Sequence, residues 1–113
     1  MKNYLLEYSQ DLAYSVETLC SLISNERNAT SQILRSSSSV YANIREANYG
    51  QSIADMISKF EIALKEAYET EGWLDILRNK GYITEEQFKR NRNLCGRIRR
   101  ILISSIRTLK AKV

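Results

Sequence analysis

Residues 52–80 read SIADMISKFEIALKEAYETEGWLDILRNK, and this stretch decides the fold of the chain. Its apolar side chains recur every three or four residues, which is the spacing of one face of an α-helix. Ser52, followed by Asp55, predicts a capped start. Gly81 predicts the end, because glycine adopts the left-handed conformation at no steric cost. A helix of this length extends about 40 Å, so other helices must cover its apolar face.

Three further segments show the same periodicity, and short polar or glycine-containing turns separate them. The sequence contains no Pro and only four Gly, so little in it forces a break within these segments. We predict an all-α fold: an antiparallel, up-down-up-down four-helix bundle in a single domain. The predicted domain is 1–113, with helices at about 3–24, 29–48, 52–80 and 84–111.

Local signals mark the ends of these helices. Thr30 or Asn28 is the expected cap of the second helix, and Gly50 is the expected left-handed residue in the turn that follows it. The segment Thr84-Glu85-Glu86-Gln87 predicts a capping box before the fourth helix. The serine run 36–39 has the composition of a linker. Apolar residues in helical register on both sides favour a close helix contact instead.

Composition argues against most enzyme classes. The chain has no His, and no nucleophile, phosphate-loop or metal-binding motif is present. Clustered carboxylates on the third helix leave one alternative, a carboxylate-based enzyme that would need bound metal. We favour a protein without enzymatic activity, metal or cofactor. The two cysteines, Cys20 and Cys95, lie on apolar faces, and we expect inert buried thiols rather than redox or ligand groups.

The cellular setting follows from the same composition. No apolar run reaches the roughly 18 residues that span a bilayer, and the first residues, MKNYLLEYSQDLAY, are unlike a secretory signal. We therefore expect a cytoplasmic protein with no membrane partner.

Charge is distributed unevenly along the chain. Residues 1–83 carry 8 Lys and Arg against 11 Asp and Glu, whereas residues 84–113 carry 9 against 2. A basic helix face can neutralise phosphates and release counterions, so RNA or DNA is a predicted partner. The alternatives are a solvated surface, intersubunit salt bridges to the acidic third helix, or acidic protein partners of a scaffold. The predicted phosphate contacts are Lys89, Arg90, Arg92, Arg97, Arg99, Arg100, Arg107 and Lys110.

Apolar residues also occur outside the predicted core faces. Ile62, Trp73 and Ile76 project from the outer side of the third helix, and Ile103 lies among the basic residues of the fourth. A helix covered on one side only should be polar on the other. We therefore predict that these four residues form an interface for self-association. Glu71 has the opposite problem, an acid on the apolar face, and requires a partner such as Arg or Tyr, or a place near the bundle end.

Several motifs, taken in order, resemble those of one bacterial family. They are QILRS at 32–36, ANIREA at 42–47, QS at 51–52, DMISK at 55–59, IALKEA at 62–67, ET at 69–70, WL at 73–74 and GYI at 81–83. The chain resembles the four-helix-bundle family first noted in reading frames within intervening sequences of 23S ribosomal RNA genes. The resemblance covers residues 28–109 well and the first helix only by general pattern. Arg45 and Ala47 depart from the usual residues around Glu46.

The resemblance implies a ring-like homopentamer without known enzymatic activity. A more distant relative is the accessory protein of diversity-generating retroelements, a basic pentamer that binds nucleic acid and a reverse transcriptase. The family has no agreed site residues, so the resemblance transfers none to this sequence. Two functions stay open: a nucleic-acid-binding oligomer, or a scaffold or accessory subunit that partners a nucleic-acid-processing enzyme such as a reverse transcriptase.

Overall fold

Four α-helices make up most of the computed structural model, which describes residues 2–113. Met1, the first residue of the predicted domain, lies outside them. The helices are α1 (Tyr4–Ser21), α2 (Arg27–Ala47), α3 (Ile53–Asn79) and α4 (Glu85–Lys110), and the described chain contains no strand. Each helix contacts the next, and α4 also contacts α1, within an envelope of 47 × 22 × 21 Å. The predicted all-α class with four helices is confirmed.

The core is a single apolar cluster to which every helix contributes. In α3, the spacing that predicted a helix also predicted its buried face, since Ala63, Ala67, Leu74 and Leu77 are inaccessible to solvent. Burying one leucine side chain stabilises the fold by about 1.5–3 kcal/mol. The long α3 therefore depends on its neighbours, because its apolar residues gain this stabilisation only when α2 and α4 cover them.

The serine run belongs to α2 and is not a linker. Ser36 and Ser37 are buried, and the Oγ of Ser36 lies 2.8 Å from the Oγ1 of Thr70 on α3. Thr70 donates in turn to the carbonyl oxygen of Glu66 at 2.9 Å. Small hydroxyl side chains therefore let α2 and α3 approach closely while their polar atoms stay paired.

Two of the predicted start signals and one stop signal have the expected geometry. The Ser52 side chain accepts from the backbone N–H of Asp55 at 3.1 Å. Thr84 and Gln87 form a reciprocal capping box, with bonds of 3.0 and 2.8 Å. Gly81 has a φ of +80°. These contacts satisfy orphan amides at the helix starts and turn the chain sharply at the end of α3.

The turn between α1 and α2 differs from the prediction. α1 ends at Ser21 rather than near residue 24, and α2 begins at Arg27 rather than near residue 29. The expectation that Thr30 or Asn28 caps α2 is wrong. The carboxylate of Glu26 does so, accepting from the backbone N–H of Ala29 at 3.1 Å. Glutamate is not among the residues that usually cap a helix. The sequence pattern therefore favoured Asn28 and Thr30, which lie two and four residues after Glu26.

The predicted left-handed conformation of Gly50 is also wrong. Its φ is not positive, so it does not supply the left-handed residue of the turn. A Cβ at this position would lie 3.0 Å from the Cγ of Met56 and 3.2 Å from the carbonyl oxygen of Ala47. Glycine fits here because the end of α2 and the start of α3 leave little room, and a Cβ would require its neighbours to shift by a few tenths of an ångström.

The two thiols lie inside the bundle. Burial raises the pKa of Cys95 to about 12 and that of the half-buried Cys20 to about 11. Both stay protonated near neutral pH, and the thiolate is the reactive form. Within residues 2–113, none of the helices combines the length and the apolar character needed to cross a membrane.

Candidate nucleic-acid interface

The basic residues of α4 are confined to its flanks and outer face. The capping box and the acids Glu85 and Glu86 begin the helix, and Arg107 and Lys110 lie in its last turn, where cations interact favourably with the helix dipole. The side that faces the bundle is closed by apolar residues, which are Phe88, Cys95, Ile98, Leu102 and Ile106. The cations therefore project either toward a neighbouring helix or into solvent.

On the flank that faces α3, two arginines bind one buried carboxylate. Glu71 is only 5% exposed. The Nη2 of Arg99 donates to its Oε1 at 3.1 Å, the Nε of Arg99 donates to its Oε2, and Arg92 also contacts it. The Arg99 guanidinium additionally lies 5.1 Å from the centre of the Tyr68 ring. Of the options predicted for Glu71, an Arg or Tyr partner or a place near the bundle end, the structure shows arginine partners.

A third cation on this side is paired more loosely. The Nζ of Lys110 lies 3.3 Å from a carboxylate oxygen of Glu61, and both side chains are about half exposed. Exposed pairs of this kind contribute about 0–1 kcal/mol. We call Arg92, Arg99 and Lys110 the paired flank, because α3 already supplies an acid to each of them.

The other five predicted phosphate contacts are exposed and form no ion pair with any residue of the described chain. We call them the open group; its members are Lys89, Arg90, Arg97, Arg100 and Arg107. One of them is oriented by an aromatic ring, since the Arg97 guanidinium lies 5.6 Å from the centre of the Tyr8 ring on α1. The open group is therefore the part of α4 whose charge is available to a partner.

A shallow depression of about 470 Å³ lies where the paired flank meets the open group. Gly96 forms part of its surface, and a Cβ there would come within 3.4 Å of the Nη1 of Arg100. The absence of a side chain keeps the depression concave. Guanidinium groups are donors only and bind phosphate oxygens through forked contacts. The lining residues are Arg92, Asn93, Gly96, Arg97, Arg99 and Arg100.

The residues predicted for self-association lie on two separate surfaces. Ile62 and Ile76 are 41% and 38% exposed, whereas Trp73 is half-buried and packs against the core. All three share the side of α3 that carries Glu69, which accepts from Arg35 of α2 at 2.6 Å. Ile103 lies instead beside the groove between α3 and α4. The structure thus does not bring Ile103 together with the other three.

Most of the carboxylates considered for an enzyme site are held in ion pairs. Arg35 binds both Glu66, at 3.1 Å, and Glu69, while Glu71 binds the paired flank. Among residues 2–113, no three Asp, Glu, Cys or His side chains converge as a metal site would require. Three carboxylates of α3, those of Glu66, Glu69 and Glu71, therefore act as partners for arginines.

Sequence reasoning overlooked the tyrosines of α1. Tyr8 contacts Arg97, and Tyr14 lines a groove between α1 and α4 together with Arg90 and Arg97. The signal was available, because Tyr4 and Tyr8 are four residues apart and lie on one side of a helix, with ring centres 6.0 Å apart. Without the structure, however, nothing indicated that this side adjoins the basic helix.

Comparison with known proteins agrees with the motifs. The family model described as 23S rRNA-intervening sequence protein matches residues 2–104. The chain belongs to this family. A crystal structure of a protein of unknown function from the S23 ribosomal protein family of Bacteroides thetaiotaomicron VPI-5482 has a similar fold. Its TM-score is 0.87 at 44% identity, covering 90% of this chain and 97% of that one. No curated protein matches this chain.

Membership in the 23S rRNA-intervening sequence protein family confirms the resemblance stated from residues 32–83. It also extends the similarity over α1, which the motifs had covered only by general pattern. The similar structure carries no assigned function, so the division of α4 into a paired flank and an open group comes from the geometry of this chain alone.

Proposed function

We propose that this chain is a non-enzymatic, oligomeric, cytoplasmic protein that binds RNA or DNA through the phosphate backbone. The observation that carries the proposal is the open group, five exposed cations on one helix with no acidic partner in the described chain. Each cation that neutralises a phosphate releases counterions, which gives affinity that does not depend on sequence.

Arginine, which makes up four of the five residues of the open group, has a geometry that suits phosphate as well as carboxylate groups. Its planar fork reaches two phosphate oxygens at once. The depression at Gly96 brings the guanidinium groups of both sets to one place. The paired flank should contribute less, because a phosphate must compete there with Glu71 and Glu61 for the same donors.

The proposed bundle is antiparallel and runs up-down-up-down. Two contacts between α2 and α3 support this direction. Glu46, near the end of α2, meets Lys59 near the start of α3 at 3.7 Å, whereas Arg35, earlier in α2, meets Glu69 later in α3. Short turns between the helices fit the same arrangement.

The proposed assembly is a ring-like homopentamer. A closed ring with an odd number of subunits needs a head-to-tail interface, in which one patch meets a different patch on the next subunit. The chain carries two exposed apolar surfaces that fit this requirement. One is formed by Ile62, Trp73 and Ile76, and the other surrounds Ile103. A ring would also multiply the open group around its circumference.

Light scattering tests the assembly. Wild-type protein should give a mass several times the 13.1 kDa of one chain, and Ile76→Glu or Trp73→Glu should reduce it to a monomer because a charge cannot be buried in the interface. Leu22→Glu, at a residue that is exposed outside both patches, is the control and should leave the mass unchanged. A monomeric wild-type protein at micromolar concentration would contradict the proposal.

A salt titration tests nucleic-acid binding. Affinity for a labelled RNA or DNA probe should fall steeply with salt, with a slope of about −0.9 per phosphate neutralised on duplex DNA. The triple variant Arg97→Glu, Arg100→Glu and Arg107→Glu should lose binding while keeping its helical circular dichroism, because these side chains are exposed.

A matched triple variant distinguishes the effect of these three positions from the effect of the change in net charge. Arg27→Glu, Lys65→Glu and Lys112→Glu change the charge equally, at exposed positions outside α4. This control should retain most of the affinity. Equal loss in the two triple variants, or no salt-dependent binding of wild type at about 50 mM salt, would contradict the proposed site.

A second candidate is a scaffold or accessory subunit that binds a nucleic-acid-processing enzyme such as a reverse transcriptase. The observation that favours it is the groove of about 390 Å³ between α3 and α4, where Leu64 and Ile103 lie beside Arg107 and Lys110. An apolar groove with a charged rim is typical of a protein interface. A pull-down that recovers one protein in fixed stoichiometry after nuclease treatment would favour this function over the first.

A further inference from the structure

A groove runs between α1 and α4, and α1 packs on α2 and α4 rather than on α3. Its volume is about 580 Å³, within the range of pockets that hold small organic groups. Leu19 and Leu94 form part of its lining. The Oγ of Ser15 donates to the Oδ1 of Asn91 at 2.7 Å, and Asn91 donates to the carbonyl oxygen of Gln87 at 2.9 Å. Its buried polar groups are therefore paired with one another, which fixes its shape.

The rim of the groove combines an aromatic face with cations. Tyr14 is 61% exposed, and Arg90 and Arg97 belong to the open group. Asp11 and Asn93 complete the rim. A tyrosine ring offers a stacking surface to any base, and arginine offers donors to phosphate. Asp11 would repel a phosphate placed beside it, but its oxygens can accept from the amino group of a base.

We infer that this groove binds an unpaired nucleotide of single-stranded RNA, an inference that rests on the proposed nucleic-acid binding. The base stacks on Tyr14, and the phosphates on either side of it contact Arg90 and Arg97. In a duplex the base faces are covered by their neighbours, so a duplex could use the arginines but not the ring. The groove therefore confers a preference for single strands on a basic surface that would otherwise bind both forms.

The polar rim assigns the strand as RNA rather than DNA. Thr18 and Asn93 both line the groove, and their side chains can donate to and accept from a hydroxyl group. The ribose 2′-hydroxyl is the group by which proteins distinguish RNA from DNA at a given site. Asn93 also lines the depression at Gly96, but no aromatic residue does and Glu71 already holds two of its arginines, so the depression lacks the stacking surface of the groove.

Fluorescence anisotropy with four labelled probes tests the inference. They are a single-stranded RNA of about 12 nucleotides, within the site sizes of single-strand binders, its duplex, the same single strand as DNA, and the DNA duplex. Wild-type protein should bind the single-stranded RNA about tenfold more tightly than the RNA duplex, the range expected from stacking one base. It should also bind the RNA strand more tightly than the DNA strand.

Variants of Tyr14 test whether the groove causes the preference for single-stranded RNA. Tyr14→Ala should weaken binding of the single-stranded RNA about tenfold and leave binding of the duplex within about twofold. Tyr14→Phe should keep the single-strand preference, since the ring remains. Tyr49→Ala, at an exposed tyrosine in the turn between α2 and α3, is the matched control and should change neither affinity.

The outcomes separate the two proposals. If both RNA probes bind equally and Tyr14→Ala changes nothing, the groove inference is wrong, while salt-dependent binding by the open group stands. If no probe binds, both are wrong. Equal affinity for the RNA and DNA strands would overturn the assignment to RNA. A change in assembled mass for Tyr14→Ala would identify the groove as a contact between subunits and overturn the inference.

Discussion

The two sides of α4 carry the same kind of residue in different electrostatic states. On the paired flank, Arg92 and Arg99 share the buried Glu71, and Lys110 meets Glu61. In the open group, each cation faces solvent without an acidic partner in residues 2–113. A charge count along the sequence treats both sets as equal. The comparison shows that only five of the eight predicted cations are available without breaking an existing pair.

The paired flank also contains two different kinds of pair. Glu71 is 5% exposed, so its charge must be compensated where it lies, and two arginines supply donors to both oxygens. Glu61 and Lys110 are about half exposed, and water screens them. Removing a partner from a buried pair leaves an uncompensated charge, whereas removing one from an exposed pair costs little. Stability should therefore depend on the first pair and hardly on the second.

Glu71→Ala gives the largest expected effect. The free energy of unfolding should fall by about 1.5–3 kcal/mol, because the partly exposed Arg92 and Arg99 lose their charged acceptor and the space left by the Glu71 side chain is buried. Urea denaturation followed by circular dichroism measures the change. Glu61→Ala, on the same helix, is the matched control and should cost less than about 1 kcal/mol. Similar losses in the two variants would show that burial does not distinguish the pairs.

Glu71→Gln should strengthen nucleic-acid binding while it lowers the free energy of unfolding. It keeps the shape of the side chain but removes the charge that holds Arg92 and Arg99, so both become available to phosphate. Affinity for a duplex probe should rise about fivefold, and the salt slope should become steeper by about 0.9 for each phosphate that the two freed arginines contact. Anisotropy is measured in conditions where circular dichroism shows the variant folded. Unchanged affinity would mean that the paired flank lies outside the bound surface.

The fold was predictable to a larger extent than the site. Apolar spacing and the signals at Ser52, Gly81 and Thr84 predicted four helices, since these depend on residues close in sequence. Glu26 was missed as a cap because glutamate rarely caps a helix. From the sequence we could predict only that Glu71 needs a partner, and not that Arg92 and Arg99 are the partners. The choice of partner depends on the register between α3 and α4, which local sequence does not encode.

The α1–α4 groove shows the same limit. The basic character of Arg90 and Arg97 was evident from the sequence, but no binding role was predicted for the tyrosines of α1. Their contact with α4 depends on which side of α1 faces which helix, and several arrangements of four amphipathic helices satisfy the same apolar pattern. Tertiary placement, rather than composition, combines aromatic and basic residues in one groove.

Arg107 and Lys110 offer a smaller and more closely matched comparison. They are one helical turn apart, but Arg107 belongs to the open group and Lys110 is paired with Glu61. Arg107→Ala should reduce the magnitude of the salt slope by about 0.9, the value for one phosphate contact on duplex DNA, and Lys110→Ala by less than about 0.5. Salt titrations of both variants measure this directly. A larger change for Lys110 would contradict the division of α4.

Glu26 extends the comparison to a carboxylate that is only 12% exposed but is paired with the half-exposed Lys80, and its effect is the smallest. The N–H of Ala29 and then the ammonium of Lys80, 3.0 Å away, hold the pKa of Glu26 below its ordinary value. A lowered folded-state pKa favours folding above the unfolded value of about 4.3. That contribution is lost as pH falls through the folded-state pKa. The urea midpoint of wild type should therefore decrease in this window more than that of Glu26→Gln.

Lys80→Gln distinguishes the two causes of the lowered pKa of Glu26, which are the N–H of Ala29 and the ammonium of Lys80. This variant keeps the bond from Ala29 but loses the ammonium, so its urea midpoint should retain most of the pH dependence of wild type between about pH 3 and 6. The backbone amide at the start of α2 is the larger cause of the lowered pKa of Glu26, and it does not depend on a second side chain. If Lys80→Gln instead behaves like Glu26→Gln, the ion pair with the half-exposed Lys80 contributes more than the helix cap. Exposure of one partner would then be a poor guide to which pairs of this bundle matter, on α4 as well as here.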